Sequence, residues 1–211
     1  MPTTFANRIE AGRALAERFH DLANRDDVIV LALPRGGVPV AAEVARALNA
    51  PLDILLVRKI GVPWQPELAM GAIASGNELV LDHDIIAHMQ VATDQVEDAI
   101  RKEREVLRER EERYRGDHPL LDLRDKIVLL VDDGLATGTT MRVAIRAAKR
   151  QEPAQVIVGV PVGSPDRVRT IGRDVDRIEC ISQPHGFMAV GQFYDDFRPT
   201  TDDEVIAALA R

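Results

Sequence analysis

The chain has 211 residues, 45% hydrophobic and 29% charged, with a formal net charge of −7. That length supplies one core of ordinary size, so a single domain over 1–211 is expected. The acidic balance excludes a sequence-independent nucleic-acid binder, which needs clustered Lys and Arg. Cys180, the single cysteine, excludes an internal disulfide and fits a reducing compartment. The N-terminal stretch has no apolar leader, and no run approaches the ~18 apolar residues of a membrane span. The expectation is a cytoplasmic protein with no membrane partner.

In chain order, "NRIEAGRALAERFHDL" reads as an amphipathic helix with Ile9, Ala16, Phe19 and Ala23 on its apolar face. Val28 to Leu33 form an aliphatic strand, followed by a turn at Pro34, Arg35, Gly36 and Gly37 and an Ala-rich helix to about Leu48. Leu52 to Val57 give a second strand ending in Arg58 and Lys59. Nearly all-apolar strands in a β-α-β unit imply a parallel sheet covered on both faces. "AMGAIASGNELVL" predicts two short strands about a turn at Gly76 and Asn77.

From Asp82 to Arg115 the pattern is helical and very polar, with Glu and Arg interleaved. It predicts a solvated excursion from the core, about 82–116, of a kind that suits a homodimer contact. The core, about 1–81 and 120–182, resumes with a strand at 126–131, a helix from Thr139 to about Arg150, the strand "QVIVGVPVG", a helix opened by Ser164, Pro165 and Asp166, and the strand "DRIECIS". Residues 183–200 hold four of the chain's eight aromatics, and Thr201 with Glu204 opens a final helix by a capping box. The whole predicts a doubly wound α/β sheet, whose ligands bind beyond the carboxyl ends of the strands.

One loop at that edge carries contradictory chemistry. "VLLVDDGLATGTTM" ends a buried strand in Asp132 and Asp133, then runs through Gly134, Ala136, Thr137, Gly138, Thr139 and Thr140 into a helix. Backbone amides at such a helix start cradle an anion, and glycines allow close approach. The loop lacks the lysine of a nucleotide P-loop. Carboxylates, in contrast, take only donors or a metal. A ribose 5-phosphate satisfies both halves, with its phosphate on the amides and its 2- and 3-hydroxyls on the two aspartates.

This stretch resembles the phosphoribosyl pyrophosphate (PRPP) binding signature of the type I phosphoribosyltransferases: four hydrophobics, two acids, a short variable stretch, then Thr-Gly-x-Thr. The resemblance extends over most of the chain, nearest to bacterial members with the same long polar helix and an ending like "FYDDFRPTTDDEV". It implies a mainly parallel five-stranded sheet, a pyrophosphate loop at "LPRGG", a flexible loop at Arg58 to Gly71, and a hood at about 183–200.

The activity implied is transfer of the 5-phosphoribosyl group from PRPP to a nitrogen acceptor of the nucleobase class, with release of pyrophosphate, as in nucleotide salvage. Mg²⁺ would be held mainly through PRPP, with Asp132 or Asp133 as the protein's contribution. Arg35, Gly36, Gly37, Arg58 and Lys59 would hold the pyrophosphate. The two aspartates would favour the cationic transition state, and the flexible loop would exclude water. Phe187 and Tyr194 are candidates for stacking on the acceptor, and Glu67 is a candidate acid or base.

One departure matters. Where the 6-oxopurine branch carries an aspartate just before the Thr-Gly, this chain has Ala136, which argues against hypoxanthine or guanine. The main alternative is a non-catalytic PRPP sensor on the same fold. A response regulator, which also keeps acids after "VLLV", places them on its first strand, unlike this chain. His20, His83, His88, His118 and His185 lack metal-ligand spacing; His185 is the one beside the expected acceptor pocket. Cys180 reads as packing. Trp64 reads as a loop anchor or a lid contact.

Overall fold

The computed structural model describes residues 4–116 and 119–210; His118 lies outside them. Five strands form one parallel sheet: β1 (Val28–Ala32), β2 (Leu52–Ile54), β6 (Ile127–Val131), β7 (Gln155–Val162) and β8 (Arg177–Ser182). Their order is β2-β1-β6-β7-β8. The chain leaves β1 toward one edge and later returns to β1's other side, so the winding reverses between β1 and β6. Loops diverge at such a reversal and leave a crevice at the carboxyl ends.

The alternating side chains of β1 enter opposite cores. Val28, Val30 and Ala32 pack with α1 (Arg8–Ala16) and α2 (Gly37–Leu48), whereas Ile29 and Leu31 pack toward α5 (Thr139–Lys149) and α6 (Pro165–Ile171). Every residue of β1 and β6 is buried, which is why these strands read as uninterrupted aliphatic runs.

The first helix differs from its expected face. Ile9 is 44% exposed, while Ala11, Leu15, Ala16, Phe19 and Leu22 are buried. The α-helix stops at Ala16 and tightens to a 3-10 helix over Glu17–Leu22, so a single 3.6-residue period does not carry across the whole segment. Gly12 faces α2, where a Cβ would stand 2.6 Å from the Val40 carbonyl.

The expected second strand is split between two sheets. Its last bond to β1 is from the Leu55 amide to the Ala32 carbonyl (2.9 Å); the Leu56 amide instead donates to Ser75 Oγ (3.0 Å). From there β3 (Val57–Val62), β4 (Gln65–Ala74) and β5 (Glu78–Leu81) make a separate antiparallel sheet. The stretch expected as a flexible loop, Arg58 to Gly71, is therefore mostly paired strand, with Arg58 opposite Ile73 and Lys59 opposite Ala72.

The polar segment forms two helices, α3 (His83–His88) and α4 (Thr93–Arg115). α4 is less of an excursion than its composition suggests. It lies on β3, β4 and α7 (Asp202–Leu209), burying Val96, Leu107, Tyr114 and Arg115. Arg115 reaches in to Asp53 (2.9 Å). Four inward side chains suffice to seat a long helix whose remaining faces stay wet. No described helix is long and apolar enough to cross a membrane.

Candidate active site

The reversal of winding brings the two conspicuous loops together. The Leu33 amide donates to the Val131 carbonyl (2.9 Å), carrying the β1–β6 ladder to the edge where both strands end. Beyond it the Pro34–Arg35 peptide is cis, and Gly36 and Gly37 pass directly over the two aspartates. A Cβ on Gly36 would sit 2.1 Å from Asp133 Oδ2, and one on Gly37 would sit 2.9 Å from Asp132 Cα. At Gly37 the obstacle is backbone at the end of the neighbouring strand, and at Gly36 it is the Asp133 side chain, which Arg8 holds in place.

The acid pair is held from several sides. Asp132 Oδ1 accepts the Asp133 amide (2.8 Å). Asp133 Oδ2 accepts a hydrogen bond from Arg8 Nε (2.8 Å) and lies in ion-pair contact with Arg8 Nη2, also at 2.8 Å. The Tyr194 hydroxyl donates to the Asp133 carbonyl (2.6 Å). Asp132 Oδ2 and Asp133 Oδ1 accept no hydrogen bond among the described residues. Burial, and then the charge of Asp133, push the Asp132 carboxyl well above the usual carboxylate range. Burial also raises Asp133, against the opposing pull of Arg8. Adjacent carboxylates in a poorly solvated place resist double ionisation, so the pair is poised to take a hydroxyl donor or a cation.

The rest of the loop is shaped for the opposite charge. Leu135 pins it to the end of β7, its amide donating to the Val162 carbonyl (2.8 Å). Gly134 is closed in by the hood, a Cβ there falling 2.6 Å from Val190. Gly138 has φ +76° and turns the chain into α5. The amides of Ala136, Thr137 and Gly138 have no protein partner among the described residues. Ala136, Thr137, Thr139 and Thr140 are exposed. The Thr139 amide reaches only the Thr137 hydroxyl, at 3.5 Å. Free amides at the start of an eleven-residue helix present partial positive charge to an incoming anion.

The other expected site residues stand differently. Of the two glycine amides, that of Gly36 has no partner among the described residues, whereas that of Gly37 donates to the Leu33 carbonyl (3.0 Å). The Arg35 guanidinium is half exposed and 3.4 Å from Asp202 at the start of α7. Asp202 also pairs with Arg113 (2.8 Å) and accepts from the Tyr114 hydroxyl (2.6 Å). Arg58 points to α4, with Nε and Nη2 both 2.8 Å from Glu103 Oε2. Lys59 lies 3.2 Å from Glu67 Oε2, whose side chain is 95% exposed.

Phe187 stacks on Phe193 with centroids 5.6 Å apart. Tyr194 is buried against Phe5 and Phe197, with its hydroxyl committed to the acid loop. Burial, followed by the charge of Asp133, pushes that hydroxyl up in pKa. Trp64 is 53% exposed at the hairpin tip. Among the described residues no group of three or more His, Cys, Asp and Glu could form a metal cage. Burial pushes the Cys180 thiol up to about 12, so it is not a thiolate nucleophile.

Arg8 is the site residue that sequence reasoning misses. It opens α1, 125 positions from Asp133, and no local pattern marks it. Its only forewarning is electrostatic: a poorly solvated acid pair needs a compensating cation from somewhere. The N-terminal segment reaches the site because it runs along the hood, where the Phe5 amide donates to the Phe193 carbonyl and the Asp195 amide to the Phe5 carbonyl, both at 2.9 Å.

This chain resembles proteins of known sequence and structure. Two Mycobacterium tuberculosis proteins, from strains H37Rv and CDC 1551 and provisionally named phosphoribosyl transferases, are 45% identical to it over 210 residues, or 98% of this chain. The chain spans about half their length, 46%. The crystal structure of TT1426 from Thermus thermophilus superposes with a TM-score of 0.85 at 42% identity, covering 98% of each chain. The sequence model of the family described as "Phosphoribosyl transferase domain" matches residues 5–198, from the hood-bound N-terminal segment to the end of the hood. The chain therefore belongs to the phosphoribosyl transferase domain family.

Proposed function

We propose that this chain is a Mg²⁺-dependent transferase that moves the 5-phosphoribosyl group of PRPP to a nitrogen acceptor of the nucleobase class, releasing pyrophosphate, as part of cytoplasmic nucleotide salvage. One observation carries the reading. Two carboxylates with one oxygen each, and three amides, that have no partner among the described residues lie on a single loop at the reversal of the sheet. A ligand bearing hydroxyls next to a phosphate satisfies both.

In this reading Asp132 Oδ2 and Asp133 Oδ1 accept the ribose hydroxyls, and the amides of Ala136 to Gly138 with the hydroxyls of Thr137, Thr139 and Thr140 hold the 5-phosphate. The amide of Gly36 lies beside the acid pair, where the diphosphate at C1 would come. Arg35 precedes Gly36 in the same turn, and its hold on Asp202 is a long 3.4 Å contact at half exposure. The free carboxylate oxygens also suit a divalent cation carried in by the substrate, without forming a protein cage. When bound, that ion neutralises the departing pyrophosphate.

As the bond to pyrophosphate breaks, positive charge develops on the ribose, and the carboxylates face it from a poorly solvated site. Ala136 brings no titratable group to the loop, so the acceptor's proton is handled elsewhere. Lys59 and Glu67 pair with each other at the surface, and the reading gives them a place only if the β3–β4 hairpin bends toward the loop. The alternative, a PRPP sensor without turnover, is favoured by one fact. Arg35 and Arg58, two of the expected pyrophosphate donors, are both paired with carboxylates.

Pyrophosphate release from PRPP and Mg²⁺ across purines, pyrimidines and other amines separates the two. Release with one acceptor class supports the transferase. Tight PRPP binding without release on any acceptor supports the sensor. Undiminished PRPP binding by the Asp132→Asn, Asp133→Asn double variant would overturn both.

A further inference from the structure

The geometry points to Arg8 as the positioning residue that turns two adjacent aspartates into a receptor for a cis-diol; the inference rests on the ribose phosphate reading of the loop. Two neighbouring carboxylates with no counterion repel one another and can each rotate to solvent. Here both are locked, each through one oxygen. Asp132 is fixed through Oδ1 by the Asp133 amide, and Asp133 through Oδ2 by the Arg8 Nε–H bond and the ion-pair contact of Arg8 Nη2 beside it. What remains is one unoccupied oxygen on each of two consecutive residues, which suits two hydroxyls on adjacent carbons.

Arg8 can do this because it is itself fixed. Its side chain is 11% exposed, its Nη1 donates to the Arg198 carbonyl (2.9 Å), and its guanidinium lies over the Phe197 ring at 3.9 Å from the centroid. A planar guanidinium can make the fork and the stack at once, which a lysine ammonium cannot. Gly36 packs closely beside Asp133 Oδ2, where a Cβ would stand 2.1 Å away, so the held oxygen is flanked by backbone as well as by Arg8. The hood thus acts on the sugar site through Arg8, without touching the sugar.

The test compares ribose 5-phosphate with 2-deoxyribose 5-phosphate, which differ only in the diol, by calorimetric titration of the parent, Arg8→Gln and Arg8→Lys chains. Melting curves report folding. The parent should prefer the ribose compound by about tenfold, the discrimination expected of one hydrogen bond to a charged acceptor. Arg8→Gln should lose most of that preference while binding the deoxy compound within about twofold of the parent, since the phosphate amides are untouched. Arg8→Lys should recover part of the preference by returning the charge without the fork.

A full preference in Arg8→Gln, or in Arg8→Lys should the Gln variant not fold, would overturn the role given to Arg8. An equal loss for both sugars would also overturn it, by making Arg8 a general support of the loop. No preference in the parent would overturn the ribose reading and this inference together, a result distinguishable from the other two.

Discussion

The loop at the end of β6 and the β3–β4 hairpin both attracted functional expectations, and they are built in opposite ways. Around Asp132 and Asp133, four segments distant in sequence interlock: the first turn of α1, the Gly36–Gly37 turn, the acid loop and the hood. On the hairpin, Arg58 and Lys59 pair with carboxylates of their own neighbourhood, Glu103 and Glu67, and Trp64 stands half exposed at the tip. The first region is rigid and charged against itself; the second is a surface with its charges already satisfied. Preorganised acceptors belong to the step that must fix geometry, and satisfied surface pairs to an element free to change partners.

Substitutions should separate the two regions, and the largest effect is expected at Gly36. Gly36→Ala drives a methyl to within 2.1 Å of Asp133 Oδ2. It should destabilise the fold by about 1–3 kcal/mol, as overpacking does. On the proposed reading, in which the displaced carboxylate receives the ribose, PRPP affinity should fall by about a hundredfold or more. Chemical denaturation and calorimetry would read both. A variant that binds like the parent would show that the two loops are not mechanically joined.

Next is Asp132→Asn. An amide keeps the acceptor for the Asp133 N–H and removes a poorly solvated like charge. Binding of PRPP should fall at least about tenfold, while stability at neutral pH rises by about 1 kcal/mol. The pH dependence gives the sign. Asp132 has a raised folded-state pKa, so the folded chain holds its proton at pH values where the unfolded chain has lost it. Its contribution is therefore greatest at low pH and declines as pH rises from the ordinary carboxylate range through the raised value. Denaturation across that window should slope downward in the parent and less so in Asp132→Asn.

A smaller effect is expected for Tyr194→Phe, which removes one hydroxyl from the Asp133 carbonyl. About 1 kcal/mol of stability should be lost, with PRPP affinity falling severalfold. An unchanged affinity would show that the hood does not hold the acid loop. The smallest is expected on the hairpin. Lys59→Ala and Glu67→Gln should each leave stability within about 0.5 kcal/mol, as exposed pairs do. If either abolishes turnover while sparing PRPP binding, the hairpin acts in the chemical step, and the contrast between the regions is one of timing rather than of function.

How far the sequence reaches differs from element to element. The central strands of the parallel sheet were legible because burial on both faces leaves an aliphatic run with clear ends, as in Val28 to Leu33. The acid loop was legible because its chemistry is contiguous. The hairpin was not, since Leu52 to Val57 is one apolar run and nothing in it marks Leu55 and Leu56 as the point where pairing passes from one sheet to another. Nor was the seat of α4 legible, because its anchoring residues are few and one of them, Arg115, reads as a surface charge until it meets Asp53.

The sequence by itself determined the doubly wound fold class and the one loop where acids adjoin an anion cradle, because both are written in local order: burial period, glycine placement and residue type. Only the tertiary structure decided which oxygens of that loop are free, which glycine amide is available and which cation answers the acid pair. Those depend on the reversal between β1 and β6 and on the N-terminal segment laid along the hood. Contacts across 125 positions leave no periodic trace in a sequence, since any residue that the fold carries to the right place can make them.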